Sequence, residues 1–64
     1  MNRALKAARE KAELTQAQAA KAAKVTESMY QRYEYGKSTP TVYASIRIAR
    51  ALQSTVEELF PLTE

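Results

Sequence analysis

The stretch "VTESMYQRYEYG", residues 25–36, decides how this sequence folds. It contains Thr26, whose hydroxyl can accept a hydrogen bond at the start of a helix, and it ends with Gly36, the single glycine of the chain. Glycine takes the left-handed backbone conformation at low cost, which suits the position just after a helix. The pattern therefore predicts a helix from Glu27 to Tyr35.

Aromatic and polar side chains fall on opposite faces of this predicted helix. Tyr30 and Tyr33 lie on the face opposite Ser28 and Arg32. We expect both rings to pack inward on alanines, because small residues leave room that a large ring fills. Each hydroxyl then needs a partner, since burying it unpaired costs about 1 to 3 kcal/mol. The helix is thus predicted to face both the core and a polar surface.

Two helices are predicted before this segment. Asn2 caps the first, which runs to about Glu13, and Thr15 caps the second, with Gln18 placed as in a capping box. The second helix, "QAQAAKAA", is mostly alanine on its buried side. Because the short link "AKV" joins it to the next helix, the two are held at a large angle, as in a helix-turn-helix.

Two more helices are predicted after the segment, beyond a loop that Pro40 favours. The fourth runs from about Thr41 to Leu52, and the fifth, "VEELF", is capped by Thr55 and stopped by Pro61. In the fourth helix we expect an inward and an outward face. The inward residues are Val42, Ile46, Ala49 and Leu52, and the outward residues are Arg47 and Arg50.

The composition is that of one small helical domain. The chain has 64 residues, near the lower limit for folding without a covalent or metal cross-link, and it lacks cysteine. Twelve alanines, one glycine and two prolines favour helices joined by short connections. No apolar run approaches the roughly 18 residues of a membrane span, and no signal-peptide pattern opens the chain, so we expect a cytoplasmic protein without membrane contact.

The charge distribution favours a polyanionic partner. The formal net charge is +3. Residues 1–50 carry all ten Lys and Arg against four Glu, which gives +6, whereas residues 51–64 carry three Glu and no base, which gives −3. A basic body with an acidic tail suits a polyanion on one side. An ordinary solvated surface is the alternative that charge alone leaves open.

Enzymatic chemistry has little support. The chain contains no histidine, cysteine or aspartate, and its glutamates are scattered without a paired-carboxylate arrangement. We therefore expect no catalytic residue, no metal site, no cofactor and no small-molecule ligand. A binding module is favoured over an enzyme.

The segment "LTQAQAAKAAKVTESMYQRYEYGKSTP", residues 14–40, resembles the helix-turn-helix core of the Cro-like phage-repressor family, also called XRE. The matching positions are Leu14, Thr15, Gln16, Ala20, Val25, Thr26, Glu34, Gly36 and Pro40. The likeness continues through "IRIARALQSTVEELF" and covers roughly residues 5–60. The sequence also departs from the family. Lys24 and Gln53 replace common glycines, Ala23 and Ser45 replace common leucines, and Tyr30 and Tyr33 replace Ile or Leu.

The resemblance implies an all-α, compact five-helix lambda-repressor-like domain over residues 1–64, with its helix-turn-helix in residues 15–36. It implies a sequence-specific regulator of transcription, a repressor, that inserts helix 3 into the major groove of double-stranded DNA at a palindromic operator. A protein–protein adaptor or antitoxin-like partner binder on the same fold is the alternative, because a fold alone does not fix a function.

The resemblance also assigns contact residues. The expected base-reading residues are Glu27, Ser28, Met29, Gln31 and Arg32, while Glu34 is expected to bond within the protein. The expected phosphate contacts are Gln16, Thr26, Tyr35, Lys37, Ser38, Thr39, Thr41 and Tyr43. One tyrosine hydroxyl of the pair at positions 30 and 33 is also expected to reach a phosphate oxygen. Family members usually act as homodimers, and Val56, Leu59, Phe60 and Leu62 are the apolar residues expected to join two copies.

Overall fold

Five α-helices in chain order make up the computed structural model, which describes residues 1–62. They are α1 (Arg3–Lys11), α2 (Gln16–Ala22), α3 (Glu27–Glu34), α4 (Val42–Ala51) and α5 (Val56–Leu59). The predicted all-helical architecture is confirmed, and within residues 1–62 there is no strand. Over the same residues, no helix has both the length and the apolar character that crossing a bilayer requires.

Every helix begins where a side chain accepts a hydrogen bond from the backbone of its first turn. The capping residues are Asn2, Thr15, Thr26, Thr41 and Thr55. At α2 the Gln18 side chain also accepts from the Thr15 N–H at 2.9 Å, which completes the predicted capping box. Because these bonds are local in sequence, the helix starts could be predicted correctly.

The core forms where α2 packs on α3 and α4, and where α1 packs on α3 and α5. Tyr30 is fully buried and Tyr33 nearly so, which confirms that both rings face inward. Ala19 and Ala20 of α2 and Ala23 at its C-terminal end are buried with them, and an alanine surface lets neighbouring helices approach closely. The other core residues are Leu5, Ile48, Ala49, Leu52 and Leu59.

The inward face predicted for α4 is wrong at two positions. Val42 is 71% exposed and Ile46 is 37% exposed, whereas α4 buries Ala44, Ser45, Ile48 and Ala49. This helix has apolar residues on two sides, and the side with smaller residues faces α2. The Ser45 hydroxyl is satisfied there because it donates to the Val42 carbonyl at 2.7 Å.

The outward placement of the α4 arginines is right for Arg50 and wrong for Arg47. Arg50 is exposed. Arg47 is half-buried, and its Nε donates to the Ala23 carbonyl oxygen at 2.9 Å. This bond satisfies an acceptor at the C-terminal end of α2, where a cation is also favoured by the helix dipole. Arg47 therefore joins α4 to the turn between α2 and α3.

Left-handed backbone conformations follow several helices. Gly36 has φ of 75°, and a side chain there would also approach the Met1 backbone nitrogen, 3.3 Å from an added Cβ. Non-glycine residues take the same conformation at Glu13, Lys24 and Gln53, with φ of 60°, 58° and 54°. Two of these are the positions where the sequence departs from the glycines of the family. The left-handed conformation costs a non-glycine residue about 1 to 2 kcal/mol.

Gln53→Gly is expected to stabilise the fold by about 0.5 to 1 kcal/mol, because relief of the strained φ exceeds the greater chain entropy that glycine loses on folding. Gln53→Ala removes the same exposed side chain but keeps the strain, so it serves as the matched control and should leave stability nearly unchanged. Urea unfolding of the three proteins would measure both effects. Equal stabilisation by alanine would show that the side chain, not φ, is responsible.

Tyr30→Ala is expected to lower the free energy of unfolding by about 3 to 5 kcal/mol, because the missing ring leaves a cavity at the centre of the core. The Tyr30 hydroxyl is buried and has no hydrogen-bond partner within residues 1–62. Tyr30→Phe should therefore stay within about 1 kcal/mol of the parent. Denaturant unfolding compares the two variants, and a loss in Tyr30→Phe as large as that in Tyr30→Ala would contradict this account of the ring.

Candidate nucleic-acid interface

The outer side of α3 carries polar and flexible side chains that take no part in the core. Glu27, Ser28, Met29 and Arg32 are exposed, and Gln31 is half-buried. These are the five residues predicted to read bases, and they lie together along two turns of one helix. The opposite side of α3 is fixed by its buried tyrosines and by Glu34. The helix therefore presents one free face.

A buried ion pair fixes α3 to α1. The Arg9 Nε donates to Glu34 Oε2 at 2.9 Å, and Nη2 donates to Glu34 Oε1 at 3.0 Å, which makes the pair bidentate. Nη1 of the same arginine donates to the Leu14 carbonyl at 2.9 Å. The Glu34 side chain is 1% exposed and that of Arg9 is 14% exposed. The expectation that Glu34 bonds within the protein is thereby confirmed.

Sequence reasoning missed Arg9. It lies one helical turn after the buried Leu5, on the apolar face of α1, where an arginine needs an anionic partner. That position was the available signal. Because its partner is 25 residues away in the chain, local patterns could not identify it.

Burial alone would raise the pKa of Glu34, but the hydrogen bonds and charge of Arg9 outweigh it, and the pKa of Glu34 lies below its ordinary value. The nearby Tyr30 hydroxyl and the Gln16 amide also lower the pKa of Glu34. The Tyr30 hydroxyl interacts with this carboxylate without meeting the geometry of a hydrogen bond. Burial, then the Glu34 charge, raises the pKa of Tyr30. Because Tyr30 is fully buried, its hydroxyl does not reach a phosphate oxygen, which corrects that expectation for this residue.

Amide side chains extend the network from the ion pair to the free face of α3. The Gln16 Nε2 donates to Glu34 Oε1 at 3.3 Å. In turn, Gln31 Nε2 donates to Gln16 Oε1 at 3.3 Å and to Glu27 Oε2 at 3.4 Å. The first residue of α2 and two predicted base-reading residues are thus oriented by one chain of hydrogen bonds.

Arg32 is held by the loop that follows α3. Its Nε donates to the Ser38 Oγ at 3.0 Å, and the Ser38 N–H donates to the Arg32 carbonyl at 3.3 Å. Because this bond uses Nε, the other two guanidinium nitrogens, Nη1 and Nη2, lie at the exposed end of the side chain and form its fork. A predicted base-reading residue and a predicted phosphate contact therefore support each other.

The remaining predicted phosphate contacts are mostly at the surface. Thr26 and Thr41 are exposed, and each uses its hydroxyl oxygen to cap a helix, α3 and α4 respectively. The other exposed members of the set are Tyr35, Lys37, Thr39 and Tyr43. Hydroxyl groups that accept a capping bond keep their own proton to donate, so capping and a phosphate contact are compatible.

The predicted self-contact residues of the tail divide into core and surface. Leu59 is 1% exposed, so it belongs to the monomer's core and is not available to a partner, which corrects that expectation. Val56 and Phe60 are half-buried against the same core. Leu62 is 94% exposed and remains the accessible apolar residue of the tail.

A helix-turn-helix family model matches residues 5–59. The chain therefore belongs to the Cro-like (XRE) helix-turn-helix family, a family of DNA-binding regulators of transcription. The comparison with curated proteins and that with solved structures each found no match.

Glu34→Gln is expected to lower the free energy of unfolding by about 3 kcal/mol at pH 7, because it leaves the largely buried Arg9 charge without its counter-ion. Glu57→Gln makes the same chemical change on an exposed residue of α5 and should stay within about 0.5 kcal/mol of the parent. Chemical denaturation of the three proteins is the measurement.

The pH dependence of the free energy of unfolding provides a second test of Glu34→Gln. A depressed pKa in the folded state stabilises the protein above the ordinary glutamate pKa of about 4.3, and this contribution is lost as pH falls through the folded-state pKa. The stability difference between parent and Glu34→Gln should therefore be constant near neutrality and shrink in acid. A difference that does not change with pH would contradict the ion-pair assignment.

Proposed function

We propose that this protein is a sequence-specific regulator of transcription that inserts α3 into the major groove of double-stranded DNA. The free face of α3 carries this proposal, because five adjacent side chains able to contact base edges lie outside the core. The major groove admits an α-helix, and each base pair presents a distinct pattern of donors and acceptors there. Membership of the family supports DNA as the ligand, and the free face of α3 is the surface that we propose contacts it.

Individual side chains suit particular bases. The Arg32 fork matches guanine O6 and N7, and the Gln31 amide matches adenine N6 and N7. Ser28 can bond to several bases, and Met29 can contact a thymine methyl group. Glu27 can accept from cytosine N4, and its present bond with Gln31 would then be exchanged for one with the base. Arg32 is the residue from which we expect the clearest base preference.

Backbone contacts would orient α3 in the groove without reading sequence. We propose that the surface around α3 makes these contacts, through Gln16, Thr26, Tyr35, Lys37, Ser38, Thr39, Thr41 and Tyr43. The excess of Lys and Arg in residues 1–50 supports this assignment, because each contact with a phosphate releases a counter-ion and favours association.

Two copies would bind a palindromic operator. One recognition helix reads only a few base pairs, which gives too small a specificity ratio among genomic competitors. A two-fold pair places the two recognition helices about 34 Å apart, one turn of DNA. We propose repression as the outcome, since a dimer bound across a promoter blocks access to it.

Arg32→Ala and Lys37→Ala each remove one positive charge but should act differently. Loss of Arg32 should cost about 1 to 3 kcal/mol on a duplex selected from a random pool and relax the preference at one base-pair position. Lys37→Ala should weaken selected and random duplexes about equally and reduce the slope of log affinity against log salt by about 1. Competition titrations at several salt concentrations measure both. Equal losses on both duplexes for Arg32→Ala would contradict base reading by this residue, and a parent protein without duplex preference would favour a protein-binding role.

A further inference from the structure

The outer face of α4 carries large apolar side chains that the monomer does not cover. Val42 and Tyr43 are 71% and 77% exposed, and Ile46 is 37% exposed. Position 46 is three residues after position 43 and four after position 42, and position 50 is four after position 46, so the four positions lie on one side of the helix. The fourth member is the exposed Arg50. We call these four residues the α4 outer face.

This face is unusual for so small a domain. The core takes the opposite side of α4, and single apolar residues at a surface are normal, but a row along one helix indicates a contact. The helix "VYASIRIARA" contains no acidic residue, and its two charged residues are Arg47 and Arg50, the latter a member of the face.

We propose that the α4 outer face binds the same face of a second copy, with the two α4 helices antiparallel and Ile46 at the two-fold axis. This inference rests on the proposed function, because it names the surface through which the two operator-bound copies would pair. A second copy of the chain is the proposed partner because the residues of this face complement one another when two α4 helices pair.

The antiparallel register is self-complementary. With Ile46 opposite its own copy, position 42 lies opposite position 50, so apolar and cationic residues alternate across the contact. The Arg50 guanidinium then reaches the ring of Tyr43 in the other copy, where a cation is attracted by the ring face. Only the ring of Tyr43 is used in this contact, so its hydroxyl stays available for the proposed phosphate. The two Arg50 residues would stand about 12 Å apart along the helices, at a rise of about 1.5 Å per residue, which limits their repulsion.

The size of the face sets the strength of the contact. A standard interface buries about 800 Å² per partner, and four side chains on one helix cover much less. We therefore expect monomers in dilute solution and pairing once adjacent half-sites on DNA hold two copies at a high effective concentration. Binding to a full palindrome should then be cooperative.

The tail offers a poorer contact. Leu59 is a core residue, and Val56 and Phe60 are half-buried against the monomer, so Leu62 is the accessible apolar side chain there. The α4 outer face presents three such side chains in one row. This difference favours α4 over the tail.

Ile46→Lys and Leu62→Lys make the same change on the two competing surfaces. Parent and variants are titrated on a half-site and on a full palindrome chosen from a random duplex pool, after thermal melting shows that each variant folds. We expect Ile46→Lys to keep half-site affinity within about 3-fold and to lose at least 10-fold in cooperativity on the full site, with Leu62→Lys unchanged. Lost cooperativity in Leu62→Lys alone would assign the pairing to the tail. A half-site affinity that Ile46→Lys changes by more than about 3-fold in either direction would assign the α4 outer face to DNA. Full cooperativity in both variants would overturn the proposal in favour of another occupant.

A cross-link tests the register itself and does not depend on a charged substitution being tolerated. The chain has no cysteine, so Ile46→Cys and Leu62→Cys each introduce a single thiol. Helix axes 8 to 10 Å apart would bring the two Cα atoms at the axis to about 4 to 5 Å, within reach of a disulfide. Mild oxidation on the full palindrome should link Ile46→Cys and not Leu62→Cys. No link, with specific half-site binding intact, would overturn the α4 pairing alone, whereas a parent that binds no half-site specifically would overturn the proposed function.

Discussion

The bidentate ion pair between Arg9 and Glu34 is the interaction on which the arrangement of the helices depends. It joins α1 to the last residue of α3, and the remaining guanidinium nitrogen of Arg9 binds the Leu14 carbonyl in the link to α2. The same carboxylate accepts from Gln16 at the start of α2. One buried anion therefore sets the relative positions of three helices. Removal of either charge leaves the other uncompensated in a place with little access to water.

The ion pair and the core both lie on one side of α3, so the residues that stabilise the fold are separate from those on its free face. Its buried side is occupied by Tyr30, Tyr33 and Glu34, which pack on α2 and bind α1. Its outer side contributes nothing to the core, so residues such as Ser28 and Arg32 can change with little effect on folding. In this chain the amide of Gln31 connects the two sides through hydrogen bonds to Gln16.

Local features of the fold could be predicted from the sequence, and features that depend on distant partners could not. The capping residues and the left-handed position of Gly36 act within one turn of chain, so the helix boundaries were nearly right. The buried side of α4 was predicted correctly at Ala49 and Leu52 and wrongly at Val42 and Ile46. Ile46 and Ile48 lie on different sides of the helix, and packing against α2 selects between them. The ion pair of α1 was missed because its two residues are far apart in the chain. The free face of α3 was predicted because the spacing of the tyrosines fixes its opposite side.

Selection of duplexes from a random pool tests most directly whether the free face of α3 reads DNA. We predict that repeated selection with the full chain at moderate salt enriches sequences with two inverted half-sites. Their centres should be about one DNA turn, 10 to 10.5 base pairs, apart, as a two-fold pair of recognition helices requires. A pool that remains random after repeated selection, with affinity set by salt and duplex length alone, would contradict sequence-specific recognition by this protein.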